Sequence, residues 1–142
     1  MITYAPLVGR ILMGLLFLIA GIGKFMDITG TSGYIASAGL PYPLILAIIA
    51  ASIEVGAGSL LILGFKTRYA AGILALFALV VNLIFHSLVG PQQVVFLKDL
   101  AIMGGLLGLY LNGAGPVSMD FRREKRLEEP SRVEGRGVRP AA

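Results

Sequence analysis

Ionisable side chains are scarce in this chain, and those that lie within or beside its apolar stretches are the ones that could do chemistry. Glu54 lies near the middle of one stretch, where a carboxylate must be protonated, paired or hydrated. Lys24 and Lys98 could stabilise a negative oxygen in a site of low dielectric constant. His86, the single histidine, could exchange protons near neutral pH. These four residues are therefore the candidate catalytic groups.

Each of these residues also has a simpler interpretation. Lys24 could end a helix and extend its ammonium group to the membrane surface, and Asp99 could favour the start of a helix through the helix dipole. His86 could be hydrogen-bonded to Asn82, which precedes it by one helical turn. An ion pair between Glu54 and a lysine could hold two helices together without any chemistry. The simpler interpretation fits Glu54 least well, because this carboxylate is so deep in its apolar stretch.

Four apolar stretches must position these side chains. Apolar residues make up 56% of the 142 residues and charged residues 14%, against about 25% charged residues in an ordinary soluble domain. The stretches cover about residues 4–24, 43–64, 69–89 and 94–112. Each has about the length that a membrane-spanning helix needs. The first stretch lacks the basic residues and the cleavage site of a signal peptide, so we expect it to be retained.

The sequence therefore predicts an all-α fold, an integral membrane four-helix bundle formed by residues 1–120. Between the first two spans, residues 28–38 can form a short interfacial helix. It is followed by a Gly-Leu-Pro segment at 39–41 that would end it.

Small residues line one face of each predicted span at spacings of three and four. The four stripes are Arg10-Gly14-Phe17-Gly21-Lys24, Ala47-Ala51-Glu54-Gly58, Gly72-Ala75-Leu79-Asn82-His86 and Lys98-Ala101-Gly105-Gly108-Asn112. Small residues let membrane helices approach closely, so we expect these faces to meet and their polar residues to converge. The predicted pocket lies in the outer half of the bundle and is lined by Asn82, Asp99, Gly21, Gly58 and Gly105. The pattern Gly104-x-x-x-Gly108 would serve equally well within the bundle or between the two copies of a homodimer.

The composition excludes several classes of site. The chain has no Cys and one His, which excludes disulfides, thiol redox pairs, thiolate-bound metals and multi-histidine metal sites. It contains neither a phosphate-binding loop motif nor a dinucleotide-binding glycine motif. The formal charge is +4, but residues 120–142 hold seven of the twelve Lys and Arg residues. The sequence thus indicates no metal, no nucleotide cofactor and no nucleic-acid partner.

The positions of the basic residues predict the orientation in the membrane. Membrane proteins carry an excess of Lys and Arg on the cytoplasmic side. With four spans, both termini share one side with the turn at 65–68, which contains Lys66 and Arg68. Only Lys24 and Lys98 lie on the other side. We therefore expect both termini in the cytoplasm.

Residues 121–142 form a charged cytoplasmic tail in this interpretation. A short helix over 121–129 is expected to be followed by disorder, because few large apolar residues remain. The basic residues of the tail should attract anionic lipid by about 1 kcal/mol each near the membrane surface. Arg10, near the same membrane face, is expected to reach the lipid surface in the same way.

An ordered series of short motifs runs through residues 5–120. It consists of Gly9-Arg10…Gly14…Phe17…Ala20-Gly21…Lys24-Phe25, Gly39-Leu40-Pro41-Tyr42-Pro43, Ile53-Glu54…Gly58…Gly64…Thr67-Arg68, His86, Lys98-Asp99-Leu100-Ala101…Gly104-Gly105 and Gly113…Gly115-Pro116…Ser118-Met119-Asp120. This series resembles the DoxX family of small four-helix membrane proteins of prokaryotes. The family usually has Asn after the lysine of the fourth helix, where Asp99 adds a charge here. The resemblance implies a multi-pass protein of the prokaryotic cell (inner) membrane.

The resemblance also implies a function. Most family members are regarded as oxidoreductases, and some are linked to quinone or catechol detoxification. We therefore expect an oxidoreductase, or a membrane subunit of one, that acts on a quinone or related small aromatic in the polar pocket. The sequence supplies no redox centre, so the electrons would come from a partner or from a bound cofactor such as quinone. Two alternatives stay open. The chain could be a non-catalytic scaffold in the lipid bilayer that recruits a soluble redox partner through its basic cytoplasmic tail, or it could be a small transporter.

Overall fold

The long apolar stretches form helices, and glycines and prolines lie where those helices begin and end. The computed structural model describes residues 4–86 and 90–134, without the side chains of residues 129–134. Its helices are α1 (Ala5–Met26), α2 (Ile28–Ser37), α3 (Pro43–Leu63), α4 (Thr67–Phe85), α5 (Gln93–Asn112) and α6 (Met119–Glu134). No strand occurs in these two ranges. Helices α1, α3, α4 and α5 are each long and apolar enough to cross a membrane, which confirms the predicted all-α membrane bundle.

The turn between α3 and α4 is shorter than the sequence suggested. Gly64 ends α3 in the left-handed conformation with φ 68°, and Lys66 takes the same conformation with φ 47°. Helix α4 therefore begins at Thr67, two residues before the expected span. It ends at Phe85, and residues 87–89 of that expected span lie outside the described residues.

The four spanning helices run alternately up and down and form two close pairs. Helix α1 lies along α3 and α4 lies along α5, while α3 also contacts α4. We call the end of the bundle with residues 64–67 and 113–118 the tail end, and the end with residues 27–42 and 90–92 the far end. Helix α2 lies at the far end against α3, and its Tyr34 ring stacks on Phe85 with 4.9 Å between the ring centroids.

The apolar core fills the half of the bundle nearer the tail end. Its large side chains come from all four spanning helices, and the best buried are Phe17, Leu61, Leu74 and Leu106. The predicted stripes of α1 and α3 are buried from Arg10 to Gly21 and from Ala47 to Gly58. The stripes of α4 and α5 are only partly buried.

Helix α5 shows the clearest difference from the expected stripes. Its Lys98 and Ala101 are exposed, and Leu106, which is not in the stripe, is its buried residue. Helix α5 contacts the bundle mainly through α4 and leaves most of its surface free for lipid. Small residues on such a helix do not mark the face that packs.

The tail helix is longer than expected. Helix α6 runs over Met119–Glu134, where a helix over 121–129 was expected. The disorder predicted for the end of the tail falls in part on residues 135–142, which lie outside the described residues.

Candidate functional site

The buried carboxylate of Glu54 is paired with the lysine at the far end of α1. Lys24 Nζ donates to Glu54 Oε2 over 2.6 Å, and the Glu54 side chain is 6% exposed while that of Lys24 is 31% exposed. Gly21 makes this contact possible, because a Cβ there would lie 2.9 Å from both Ala51 O and Glu54 Cβ. Helix α1 can therefore approach α3 closely enough for Lys24 to reach the carboxylate. The pairing offsets the cost of a charge in an apolar surrounding.

A second charge contact joins α4 to the beginning of α5. His86 Nδ1 lies 3.0 Å from Asp99 Oδ2, and both side chains are largely buried. His86 Nδ1 has no hydrogen-bond partner among the described residues. The contact is therefore a close approach of the imidazole ring to the carboxylate.

Asn82 stabilises the junction of α4 and α5 rather than the imidazole of His86. Its side chain is almost completely buried, and Nδ2 donates to Phe96 O over 3.3 Å. Asn82 Oδ1 has no hydrogen-bond partner within the described part of the chain. The backbone N–H of His86 donates to Asn82 O, so the two residues are linked through the main chain.

A cavity of about 250 Å³ lies between the spanning helices on the far-end side of the core. Three charged residues line it: Glu54 from α3, and Lys98 and Asp99 from α5. The remaining lining residues are apolar, with aromatic rings from Phe17 and Phe77. The structure thus brings three of the five predicted ionisable residues to the cavity, and the other two, Lys24 and His86, contact carboxylates that line it. The four predicted uncharged residues, Asn82, Gly21, Gly58 and Gly105, do not line it.

Lys98 differs from the other charged groups at the cavity. No ion pair or hydrogen bond involves its ammonium group in the ranges that the structure describes. An unpaired ammonium group beside an apolar cavity attracts a negatively charged or polar oxygen, and the attraction is stronger than in water because the local dielectric constant is lower. Within the same ranges, no group of three or more His, Asp and Glu residues could hold a metal ion.

Comparison with known proteins decides the family. The sequence model of the DoxX family matches residues 5–87. The chain belongs to the DoxX family. No solved structure matches it.

Three relatives extend this similarity over most of the DoxX chain. Inner membrane protein YphA of Escherichia coli K12 is 39% identical over 123 residues, which cover 82% of this chain and 88% of that protein. Inner membrane protein YqjF of the same strain is 39% identical over 123 residues, 84% of this chain and 92% of that protein. Uncharacterized membrane protein Rv3486 of Mycobacterium tuberculosis is 33% identical over 132 residues, 82% of this chain and 80% of that protein. With the four apolar helices, these relatives confirm the predicted multi-pass location in the cell membrane.

Two of the glycines that were predicted to line the pocket of this DoxX protein lie outside the cavity. A Cβ on Gly58 would lie 2.9 Å from both Gly14 O and Leu18 N, which are backbone atoms of α1, so Gly58 lets α1 approach α3. A Cβ on Gly105 would collide only with the flexible end of the Met13 side chain, so Gly105 leaves room for that side chain.

Arg10 lies in a different environment from the one that the sequence predicts. It was expected to reach the lipid surface, but it is 2% exposed. Its Nη1 donates to Ala114 O over 2.8 Å and its Nη2 to Val117 O over 3.1 Å. The segment 113–118 is not helical, so its carbonyl groups need other donors, and the five N–H groups of an arginine suit that need. The run Gly113-Ala114-Gly115-Pro116 was the available sequence signal for such unpaired carbonyls.

Asp120 completes this structural cluster at the tail end. Its Oδ1 accepts from the Lys66 N–H over 2.7 Å and its Oδ2 from the Thr67 N–H over 3.0 Å. Its own N–H donates to Gly64 O. A carboxylate at this position satisfies N–H groups at the start of α4 and complements the helix dipole. The motif residues at the tail end of the DoxX chain therefore connect α3, α4 and α6.

Proposed function

We propose that the cavity binds the head group of a quinone or a related small aromatic, and that the protein is a membrane oxidoreductase or the membrane subunit of one. The observation that carries this proposal is that three charged side chains, from α3 and α5, line one apolar cavity, and that Lys24 of α1 and His86 at the end of α4 contact two of them. Such groups are expensive in a membrane and are usually functional there. A pocket with mostly apolar walls and a few polar groups is typical of small-molecule sites.

The lining of the cavity suits a ring that carries oxygen atoms. Phe17 and Phe77 offer aromatic faces or edges against which another ring can pack. The ammonium group of Lys98 would stabilise a ligand oxygen that carries negative charge. Glu54 is already paired with Lys24, so it would act chiefly as the negative charge that balances the lysines at the cavity.

The size of the cavity favours a single ring. At about 250 Å³ it lies just below the range of about 300–1,000 Å³ that is common for sites of drug-sized ligands. A one-ring head group fits this volume better than a large fused system. An apolar tail on that ring would extend between the helices into the lipid.

The proton chemistry can be assigned to Asp99 and His86. Oxidation of a quinol to a quinone releases two protons and two electrons. Asp99 lines the cavity and would accept the two protons from the ligand hydroxyls one after the other. The imidazole of His86, 3.0 Å from Asp99, would pass each proton on once its ring turns to hydrogen-bond the carboxylate. The two electrons must go to a redox cofactor of a partner protein, which favours the role of a membrane subunit.

The proposal can be tested by measuring how tightly a one-ring quinol binds the purified protein in lipid nanodiscs. We expect saturable binding that is weakened at least tenfold by Lys98→Gln, because a charged contact to the ligand oxygen is lost. Lys125→Gln is the matched control, since it removes a lysine charge on α6 far from the cavity. Absence of saturable binding, or equal affinities for Lys98→Gln and the unaltered protein, would refute the proposal.

A scaffold that recruits a soluble redox partner is the second candidate. It is favoured by the exposed basic residues Arg122, Arg123, Lys125 and Arg126 on α6. Removal of residues 122–142 keeps the Asp120 contacts to α4 and removes this surface. If a redox partner then no longer co-purifies while Lys98→Gln leaves co-purification intact, the scaffold is favoured. A transporter has less support, because the apolar core around Leu61, Leu74 and Leu106 lies between the cavity and the tail end.

A further inference from the structure

A second cleft opens at the tail end, at the opposite end of the bundle from the cavity. It has a volume of about 690 Å³ and lies between the start of α4, the segment 112–118 and the start of α6. Its basic residues are Lys66, Arg68 and Arg123. Arg68 and Arg123 have no ion pair with any residue in the described ranges. Their guanidinium groups are therefore available to an anion.

The acidic residues of the cleft do not cancel this charge. Asp120 lines the cleft, but both of its oxygens already accept hydrogen bonds from the backbone of Lys66 and Thr67. Glu124 is the other carboxylate. With three basic residues against two carboxylates, one of which is turned toward backbone N–H groups, the cleft keeps a net positive charge and favours a negatively charged ligand.

An apolar groove lies along α4 and α5, about one helical turn further from the tail end than the cleft. It has a volume of about 410 Å³ and is lined by Gly72, Leu76, Leu79, Met103, Leu107 and Tyr110, together with Ala75. The two cavities share no lining residue, but they follow each other closely on the same helix pair. Tyr69 of the cleft precedes Gly72 of the groove on α4, and Tyr110 of the groove precedes Asn112 of the cleft on α5.

The groove has the dimensions and chemistry of a site for a hydrocarbon chain. From Gly72 to Leu79 it follows α4 for about 10 Å at 1.5 Å per residue. Leu76 and Leu107 are each more than half exposed on its walls, so in a bilayer this surface is covered by hydrocarbon. A ligand that fills both cavities must therefore be anionic at one end and apolar at the other.

We propose that the cleft and the groove together bind one anionic phospholipid. The phosphate lies between Arg68 and Arg123, and one acyl chain lies along the groove. Guanidinium groups suit this role because they form paired hydrogen bonds with phosphate oxygens. The site shares no residue with the cavity near Glu54, so it does not depend on the function proposed above.

The test is lipid binding to the full-length protein after removal of its native lipids, measured by native mass spectrometry. Phosphatidylglycerol should bind more tightly than phosphatidylcholine with the same acyl chains. Arg68→Gln should weaken phosphatidylglycerol binding about tenfold or more, because a charged hydrogen bond to the phosphate is lost. Arg126→Gln removes the same charge from α6 outside the cleft and should weaken binding by about fivefold at most, the general attraction of one basic residue near the membrane surface.

The role of the groove can be tested separately with one variant inside it and a matched variant outside it. Leu107→Phe enlarges a half-exposed side chain in the groove and should weaken lipid binding, while Leu111→Phe enlarges a 70% exposed side chain outside it and should not. Thermal unfolding of all variants checks that they fold. Glycerol phosphate, the soluble head group, should bind far more weakly than the lipid. Equal binding of the two lipids, no effect of Arg68→Gln, or glycerol phosphate binding as tightly as the lipid would overturn the proposal.

Discussion

At the scale of single residues, the contact between Lys24 and Glu54 determines how a carboxylate is accommodated in the apolar bundle. The carboxylate is 6% exposed, and its partner reaches it from the neighbouring helix over 2.6 Å. A buried ion pair adds little net stability, but the loss of one partner leaves an uncompensated charge. Replacing one of these residues alone should therefore reduce the stability of the protein much more than replacing both together.

The first prediction follows from this asymmetry. Lys24→Met should lower the free energy of unfolding by less than the roughly 3–5 kcal/mol typical of fully buried pairs, because Lys24 is partly exposed. The double variant Lys24→Met, Glu54→Gln should recover most of the loss, since no charge is then left without a partner. Unfolding in detergent by a denaturant series measures both. A double variant less stable than Lys24→Met would contradict the prediction.

Arg10 supports the second prediction. Arg10→Lys keeps the charge but replaces two donors aimed at different carbonyls by one flexible ammonium group. We expect a loss of about 1–3 kcal/mol, the cost of a buried carbonyl left without its donor. We also expect faster proteolytic cleavage within residues 113–118. A cleavage rate equal to that of the unaltered protein would show that Arg10 does not hold this segment.

At the scale of helices, the sequence predicted α1 and α3 better than α4 and α5. The stripes of α1 and α3 pack against each other, so their small residues coincide with the buried face. Most of α5 faces lipid, which is as apolar as the protein interior, and its small residues carry no information about packing. The pairing of Glu54 with a lysine was predictable from the cost of its burial. The contact of His86 with Asp99 was not, because it depends on how the connection between α4 and α5 sets their register.

The contact between α1 and α3 supports the third prediction. Gly58→Ala places a Cβ 2.9 Å from two backbone atoms of α1, so the helices must separate at a cost of about 1–3 kcal/mol. Gly56→Ala is the matched control on the same helix, because a Cβ there has no atom within 4 Å. It should be neutral or stabilising by up to about 1 kcal/mol through helix propensity. Melting temperatures in one detergent compare the two, and an equal decrease in both would exclude the packing explanation.

At the scale of the whole molecule, the distribution of basic residues predicts which end faces the cytoplasm. The chain has no Cys, so single cysteines can be labelled without background. Ser37→Cys marks the far end and Arg126→Cys the tail end, and both positions are exposed. A thiol reagent that cannot cross the inner membrane should label Ser37→Cys in intact cells whose outer membrane has been permeabilised. It should label Arg126→Cys only after the cells are lysed. The reverse pattern would show that the tail faces outward.

The two charge contacts at the cavity have a mechanical consequence. Lys24 and Glu54 both belong to the α1–α3 pair, whereas His86 and Asp99 both belong to the α4–α5 pair. No salt bridge in the described ranges crosses from one pair to the other. A small displacement of one pair relative to the other at the far end would therefore leave both contacts intact, whereas the Arg10 hydrogen bonds and the apolar core tie the two pairs together nearer the tail end.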